Sequence, residues 1–288
     1  MKEDKLFIIF SLVVLSCFLL SFQLPVTNGT IHSTFGEPRP DHFHNGVDIS
    51  SIDKKVYPVK EGNLVFAWDK ALFPLEQYPG VGNYCILEHN KKEKSLYVHL
   101  ENNIHLQPRY ALTDSLAFMG NTGRSYGTHL HFAILNHFIV SVNPFTVMPS
   151  IDDKKPPVIE GVYIKVGDSY TRLREGGNIR LTQHHPLAIQ CFDAIQKNER
   201  CGVFSLKVIL NNVTVTDVKF NAIKLDNKNK LTIKGLPFEN LYDSKGNYLV
   251  TNVSYNPGIN NLTVIAEDFA GNQTSQSISF NVVLDFKK

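Results

Sequence analysis

Cysteine is scarce in this chain of 288 residues, with four in total and no C-x-x-C pair. That excludes a disulfide-dense scaffold and argues against a structural zinc ribbon. An excess of one charge sign is also absent, because 29 Lys and Arg residues face 27 Asp and Glu residues. This balance argues against a nucleic-acid-binding protein, which needs a basic surface. A hydrophobic fraction of 43% excludes wholesale disorder, and the length suggests two domains at about 150 residues each.

The sequence after the first apolar run also lacks long stretches with the hydrophobic period of an amphipathic helix. From Thr30 to Met148, short β-type runs such as GNLVFAW (62–68) alternate with Gly, Pro and Asn punctuation. The polar segment MPSIDDKKPP (148–157) then reads as a linker, since it is charged and ends in two prolines. Beyond it, runs such as VFSLKVIL recur with turn signals between them, which is typical of a β-sandwich. The sequence therefore predicts an all-β protein of two domains.

One apolar run of 17 residues, Leu6–Phe22, follows the charged residues 1–5. It is short for a spanning helix and long for the core of a signal peptide, so residues 1–26 are either a signal peptide or an N-terminal membrane anchor. A third reading is a lipoprotein signal, in which Cys17 of VLSC is lipidated; the simpler reading of Cys17 is one more apolar residue. All three readings place the rest of the chain outside the cytoplasm.

Histidines are concentrated in the first half, where nine of the eleven lie between His32 and His137. His44 and Asp48 form an H-x-G-x-D pattern whose glycine permits a tight turn. His129 and His131 alternate on a predicted strand and therefore share a face, and His99 lies on another strand. Each residue alone has an ordinary structural reading. Together they suit zinc, which takes three protein ligands at a catalytic site and keeps a position for water.

The ordered set H-x-G-x-D, YVHL (97–100) and GNTGRSYGTHLHFAI (120–134) resembles the lysostaphin-type (LytM-like) zinc metallopeptidases, which cut peptidoglycan peptides. The resemblance covers about residues 30–148. It implies that His44, Asp48 and His131 bind one zinc ion, that His129 is the general base, and that His99 orients the water or stabilises the oxyanion. Spacing alone leaves open which of His129 and His131 is the ligand. Residues 69–81 form a longer segment than this family has there.

These inferences lead to a complete expectation. Residues 27–148 form an antiparallel β-sheet metallopeptidase domain of the lysostaphin type (duplicated-hybrid-motif, barrel-like), 149–156 form a linker, and 157–288 form an Ig-like β-sandwich. The protein is a hydrolase, a zinc metalloendopeptidase of peptidoglycan cross-links, exported to the bacterial cell envelope, at the periplasm or cell surface. The alternative is a non-catalytic regulator or wall-binding protein that activates other cell-wall hydrolases. The carboxy-terminal domain is expected to position the enzyme or to dock an envelope partner, and to add no chemistry.

Two details of the second half complete the expectations. Cys191 and Cys201 bracket a predicted loop, and we favour a disulfide between them over two buried thiols. Asp193 and Asp268 are expected in separate loops, without a neighbouring carboxylate.

Overall fold

The computed structural model describes residues 22–90, 92–136, 140–150, 152–196 and 199–285. The predicted signal, anchor or lipidation segment therefore lies outside the described residues, apart from its last few positions. Within the described residues, which begin at Phe22, we find no helix whose length and apolar character would let it cross a membrane. The first half of the chain contributes ten strands and one 3-10 turn: β1 (Thr30–Ser33), β2 (Val47–Ser50), β3 (Lys55–Val56), β4 (Gly62–Trp68), β5 (Asn83–Asn90), β6 (Glu93–Leu100), β7 (Arg109–Tyr110), β8 (Ala117–Phe118), β9 (Leu130–Asn136), β10 (Val140–Val142) and the turn Pro144–Thr146.

The described residues of the second half are equally rich in strands and include one short helix, α1. Its elements are β11 (Val158–Val166), β12 (Ser169–Arg172), β13 (Gly177–Leu181), β14 (Leu187–Ile195), β15 (Glu199–Cys201), β16 (Ser205–Leu210), β17 (Val213–Lys219), β18 (Ala222–Leu225), β19 (Leu231–Ile233), β20 (Leu236–Pro237), α1 (Phe238–Leu241), β21 (Tyr248–Val250), β22 (Gly258–Glu267) and β23 (Gln273–Leu284). The all-β prediction is confirmed.

Internal contacts divide the described chain into two compact units. The first unit combines residues 22–29, 50–132 and 144–150. Its strands lie in the order β9-β6-β5-β4-β7, with β3 and β8 as a separate pair. Side chains on β5 alternate between buried and half-buried, as expected for a strand with one face on a core. The largest fully buried side chains of this unit are Tyr97, Tyr110, Phe132, Leu87, Leu100, Leu116, Met119 and Leu130.

The second unit combines residues 30–49, 133–143 and the chain from 151 onward. Two segments of the predicted 27–148 domain therefore pack with the carboxy-terminal half. The reason is hydrophobic packing: Phe35 and Phe43 are buried in one core with side chains from the second half of the chain, among them Phe220 between β17 and β18. Full burial of such a side chain contributes about 2–3 kcal/mol. Gly36 makes room for this packing, because a Cβ there would lie 2.6 Å from the ring of Phe220.

Two five-stranded sheets account for most of the second unit. One has the order β12-β11-β14-β15 with β21 also paired to β14, and the other has the order β13-β23-β22-β16-β17. Buried side chains from both sheets, such as Ile189 of β14 and Val264 of β22, belong to one hydrophobic core. This arrangement is a β-sandwich. The more specific Ig-like assignment stays a prediction.

The predicted disulfide between Cys191 and Cys201 is wrong, because both are free thiols. The pairing of β14 with β15 places Cys201 opposite Asp193. Cys191 is then a diagonal neighbour of Cys201, and diagonal neighbours lie about 7–8 Å apart, too far for a disulfide. Burial raises the pKa of both thiols, and of Cys85 in the first unit, so none is an activated nucleophile.

Candidate metal centre

His44 precedes β2 at the end of a closed loop. The backbone N–H of Gly36 donates to the carbonyl of His44 at 2.7 Å, and the N–H of His44 donates to the carbonyl of Glu37 at 2.8 Å. The imidazole is buried, with 4% of its surface exposed, and its Nδ1 lies 2.8 Å from the carbonyl oxygen of Thr34. A carbonyl only accepts, so Nδ1 carries the proton and Nε2 offers a lone pair.

That Nε2 faces a second acceptor, since Oδ1 of Asp48 lies 3.0 Å from it. An imidazole with one N–H proton cannot donate to both the Thr34 carbonyl and the Asp48 carboxylate. Either the ring carries two protons, or Nε2 and Oδ1 share a cation. The second arrangement is the usual one for a metal-binding histidine, whose other nitrogen donates to a backbone carbonyl.

Arg39 holds the far side of the Asp48 carboxylate. Its Nη2 donates to Oδ2 of Asp48 at 3.1 Å and to Oγ of Ser33 at 2.7 Å, while Nη1 donates to Glu37 at 3.3 Å. Oδ2 is thereby engaged and Oδ1 is directed at His44. Sequence reasoning missed Arg39; its position between two prolines, shortly before the H-x-G-x-D segment, was the available signal.

Glu37 ties this loop to the sandwich within the second unit. Its Oε1 accepts the Oγ1–H of Thr34 at 2.8 Å and the backbone N–H of Gly202 at 2.9 Å. Thr34 in turn donates to the carbonyl of Gly202 at 3.0 Å. Thr34, whose carbonyl orients His44, therefore binds Gly202. Glu37, which orients Arg39, binds Gly202 as well.

His129 and His131 lie at the start of β9. His129 forms an isolated bridge with Gly120, Leu130 is fully buried, and His131 is half-buried on the opposite side from Leu130. This is the alternation that the sequence predicts. Nδ1 of His129 lies 2.9 Å from the carbonyl of Gly127, so His129 also carries its proton at Nδ1.

His99, the penultimate residue of β6, has an unusual backbone, since its φ is +63°. A non-glycine residue in this region is uncommon and is associated with functional sites. Its Nδ1 lies 2.8 Å from the carbonyl of Thr122. The ring centroid of His99 is 5.0 Å from that of His129 and 6.1 Å from that of His131. The three histidines of the first unit thus form one cluster.

Two glycines allow the backbone approach that positions His99. Gly123 has φ +73°, and a Cβ there would lie 2.2 Å from the backbone nitrogen of Gly82. A Cβ at Gly82, with φ +70°, would lie 2.4 Å from the carbonyl carbon of Thr122. Only glycine fits at either position. The G-x-T-G segment therefore places the Thr122 carbonyl where His99 can donate to it.

The predicted ligands lie together. The ligand atoms of His44, Asp48 and His131 are all within 4.8 Å of one another. Zinc binds imidazole nitrogen and carboxylate oxygen at about 2.0–2.2 Å, so ligand atoms of one ion lie within about 4.4 Å and need little adjustment. Two imidazoles and one carboxylate are a donor set that zinc uses at catalytic sites.

Comparison with known proteins finds similarities in the first half of the chain. The profile of Peptidase family M23 matches residues 42–144. A separate family profile matches residues 156–283. The chain is 32% identical over 94 residues to peptidoglycan DD-endopeptidase ShyB of Vibrio cholerae, covering 32% of this chain and 20% of that protein. It is 31% identical over 122 residues to an uncharacterized metalloprotease of Haemophilus influenzae, covering 40% of this chain and 22% of that protein.

Solved structures include two similar chains. A zinc-containing peptidase from Vibrio cholerae is 28% identical, with a TM-score of 0.36, over 43% of this chain and 39% of that one. The catalytic domain of lysostaphin from Staphylococcus simulans is 22% identical, with a TM-score of 0.32, over 38% of this chain and 82% of that one. The chain spans about a fifth of the length of the curated relatives described above.

Proposed function

We propose that residues 42–144, which match the profile of Peptidase family M23, form a lysostaphin-type domain, and that the protein is a zinc-dependent endopeptidase that hydrolyses peptide cross-links of bacterial peptidoglycan. The observation that carries the proposal is the convergence of His44, Asp48 and His131 within 4.8 Å. The similarity to a peptidoglycan DD-endopeptidase supports the substrate class.

In this proposal His44, Asp48 and His131 hold the zinc ion. Bound zinc would supply a Lewis acid for the scissile carbonyl and a water whose pKa is lowered to about 7. Arg39 keeps Oδ2 of Asp48 engaged, so that Oδ1 is presented as the ligand atom. Thr34 keeps Nε2 of His44 unprotonated and directed at the same place.

His129 is the general base. Because its Nδ1 donates to Gly127, its Nε2 can accept the proton of the attacking water and later deliver it to the leaving nitrogen. His99 has the same tautomer through Thr122. A neutral imidazole in that tautomer accepts a hydrogen bond at Nε2, which suits orienting the water. Donation to an oxyanion would require a doubly protonated ring, so of the two roles we favour water orientation.

The proposed substrate also implies where the protein acts and what it contacts. We propose that the protein is exported and acts in the cell envelope, with residues 1–26 as signal peptide or anchor. We also propose that the carboxy-terminal sandwich docks an envelope partner.

The test is digestion of purified muropeptides with mass analysis of the products, with and without a chelator, alongside zinc content per chain. We expect cleavage within the peptide cross-links, about one zinc per chain, and loss of cleavage on chelation. His42→Ala is the matched control, since that side chain is 60% exposed and lies two residues from His44. A protein that holds zinc yet cleaves no peptide, even with its partners added, would instead be the regulator described above.

A further inference from the structure

A second group of metal-type ligands lies in the other half of the chain, within the second unit. It comprises Asp153 of the linker, Asp193 of β14 and Asp268 in the turn after β22. One carboxylate oxygen from each lies within 4.8 Å of the others. The expectation that Asp193 and Asp268 lack a carboxylate neighbour is therefore wrong. The fold explains why: three carboxylates separated by 40 and 75 residues meet only when the two sheets of the sandwich pack on one core and residue 153 lies against them.

Asp193 is the unusual member of this group. Its side chain is fully buried, and neither carboxylate oxygen has a hydrogen-bond partner of normal geometry among the described residues. Burying an ionised carboxylate without compensation is among the most costly arrangements in a protein. Burial first, and then the Asp268 and Asp153 carboxylates, raise the pKa of Asp193 to about 7, opposed only weakly by the N–H of Ala194.

The other two carboxylates are held in place. The backbone N–H and the side-chain amide of Asn272 donate to the two oxygens of Asp268, each at 2.8 Å. The same amide donates to the backbone carbonyl of Asp153 at 3.1 Å. Thr274 donates to the carbonyl of Pro157 at 2.5 Å. The linker is thus bound along the edge of the turn, and its carboxylate is directed toward Asp193 and Asp268.

We propose that Asp153, Asp193 and Asp268 bind a divalent cation, calcium, that fastens the linker to the sandwich. The donors are all oxygens, which suit a hard cation rather than zinc. Calcium–oxygen distances of about 2.3–2.6 Å allow ligand oxygens of one ion to lie up to about 5 Å apart, so three oxygens within 4.8 Å of one another can share one calcium ion. Magnesium retains more of its own waters and is less suited to a site made of three protein carboxylates. A calcium ion would also compensate the buried charge of Asp193.

The experiment uses full-length, zinc-loaded protein, so that the first metal centre is constant. Calcium chloride is titrated by calorimetry, and the midpoint of thermal unfolding is followed over the same range, with magnesium chloride in parallel. We expect one calcium per chain, weaker binding of magnesium, and an upward shift of about 5 °C when calcium is at 100 times its Kd.

Asp193→Asn should weaken calcium binding roughly 100-fold, since a charged ligand is lost while size and shape are kept. Asp153→Asn, at a less buried position, should weaken binding without risk to the core. The matched control is Asp152→Asn, which removes the same charge from the neighbouring residue, whose side chain is 86% exposed.

Two outcomes would overturn the proposal. One is a wild-type protein that binds no calcium up to about 10 mM while Asp193→Asn raises the unfolding midpoint, which would identify Asp193 as a buried neutral acid. The other is calcium binding that Asp193→Asn and Asp153→Asn leave as strong as in the Asp152→Asn control. Neither readout depends on peptidase activity, so the calcium proposal stands or fails separately from the proposed function.

Discussion

Three imidazoles of the metal centre have the same hydrogen-bonding arrangement. His44, His99 and His129 each donate Nδ1–H to a backbone carbonyl, of Thr34, Thr122 and Gly127 respectively. Backbone carbonyls never donate, so Nδ1 of each ring carries a proton and Nε2 is the nitrogen left to bind a metal ion or to exchange a proton. Sequence spacing can suggest that these histidines belong to one site, but it carries no information on which nitrogen bears the proton.

The division between ligand and base can be tested by substitution. His131→Ala removes a proposed ligand and should lose most of the bound zinc, whereas His129→Ala should keep zinc and lose turnover by roughly 100-fold or more. Zinc content by atomic absorption and kcat on a cross-linked peptide measure the two effects. Near-normal hydrolysis by His129→Ala would show that the base is another residue, and full zinc occupancy in His131→Ala would remove it from the ligand set.

His89 gives a prediction of pH dependence outside the metal centre. Its Nδ1 is 2.9 Å from the carbonyl of Glu61, and its Nε2 is 2.8 Å from Oγ of Ser95. Desolvation lowers the pKa of His89, while the opposite charges of Glu93 and Lys60 partly offset each other. The unfolded chain therefore binds a proton more readily below about pH 6.5, and the free energy of unfolding should fall as the pH drops through that range.

Comparison with His89→Asn isolates this contribution, because the amide can still donate to Glu61 and does not titrate. Urea unfolding of both proteins at pH 8, 6.5 and 5.5 measures it. We expect the loss of stability toward acid pH to be smaller in the variant. Parallel pH profiles for the two proteins would show that His89 is not the group concerned.

At the scale of elements, glycines determine how closely the loops of the centre approach one another. The pair Gly82 and Gly123 could be anticipated in part, since the G-x-T-G pattern is visible in the sequence. The role of Gly202 could not be anticipated, because the local sequence ERCGVF does not indicate that the N–H of Gly202 binds Glu37 and its carbonyl binds Thr34. Contacts across more than 160 residues depend on strand pairing, which local patterns do not specify.

Gly202→Ala tests that contact. The new Cβ would lie 2.7 Å from Cγ of Glu37, so Glu37 must move and its hold on Arg39 must loosen. We expect zinc affinity to fall by about tenfold, the usual scale for a residue that orients a ligand. Competition with a chelating dye measures it.

Gly177→Ala serves as the control for Gly202→Ala, because its Cβ would also be crowded, at 3.0 Å from the carbonyl of Arg174, but in another strand. Zinc affinity should be unchanged there even if stability falls. Equal losses of affinity in both variants would mean that general destabilisation, and not the Glu37 contact, is responsible.

At the scale of the whole molecule, the composition and the alternation of apolar residues predict the strand-rich fold. The polar linker segment predicts a domain boundary near residue 149. The linker at 149–156 stays a prediction, and packing assigns residues 30–49 to the second unit. The physical reason is the burial of Phe35 and Phe43 among late strands, which a local reading of charge and proline cannot reveal. The Asp153, Asp193 and Asp268 group escaped the sequence for the same reason.

A fragment of residues 27–155 should therefore be deficient. It would keep every proposed zinc ligand but would expose Phe35 and Phe43 and would lack Gly202. We expect aggregation or weak zinc binding, measured by light scattering and dye competition against the full-length protein. A monomeric fragment that binds zinc as tightly as the full chain would show that the residues beyond 155 are dispensable for the metal centre.

The loop that carries His44 and Asp48 has a further consequence for biogenesis. The hydroxyl of Tyr242 donates to the carbonyl of Gly36 at 2.9 Å, across a sequence separation of 206 residues. During synthesis this loop emerges early, yet Tyr242 is made 206 residues after Gly36, and such distant contacts form slowly. The His44 and Asp48 loop would thus reach its final packing only after Tyr242 and its neighbours have been synthesised, which would keep the proposed hydrolase latent until then.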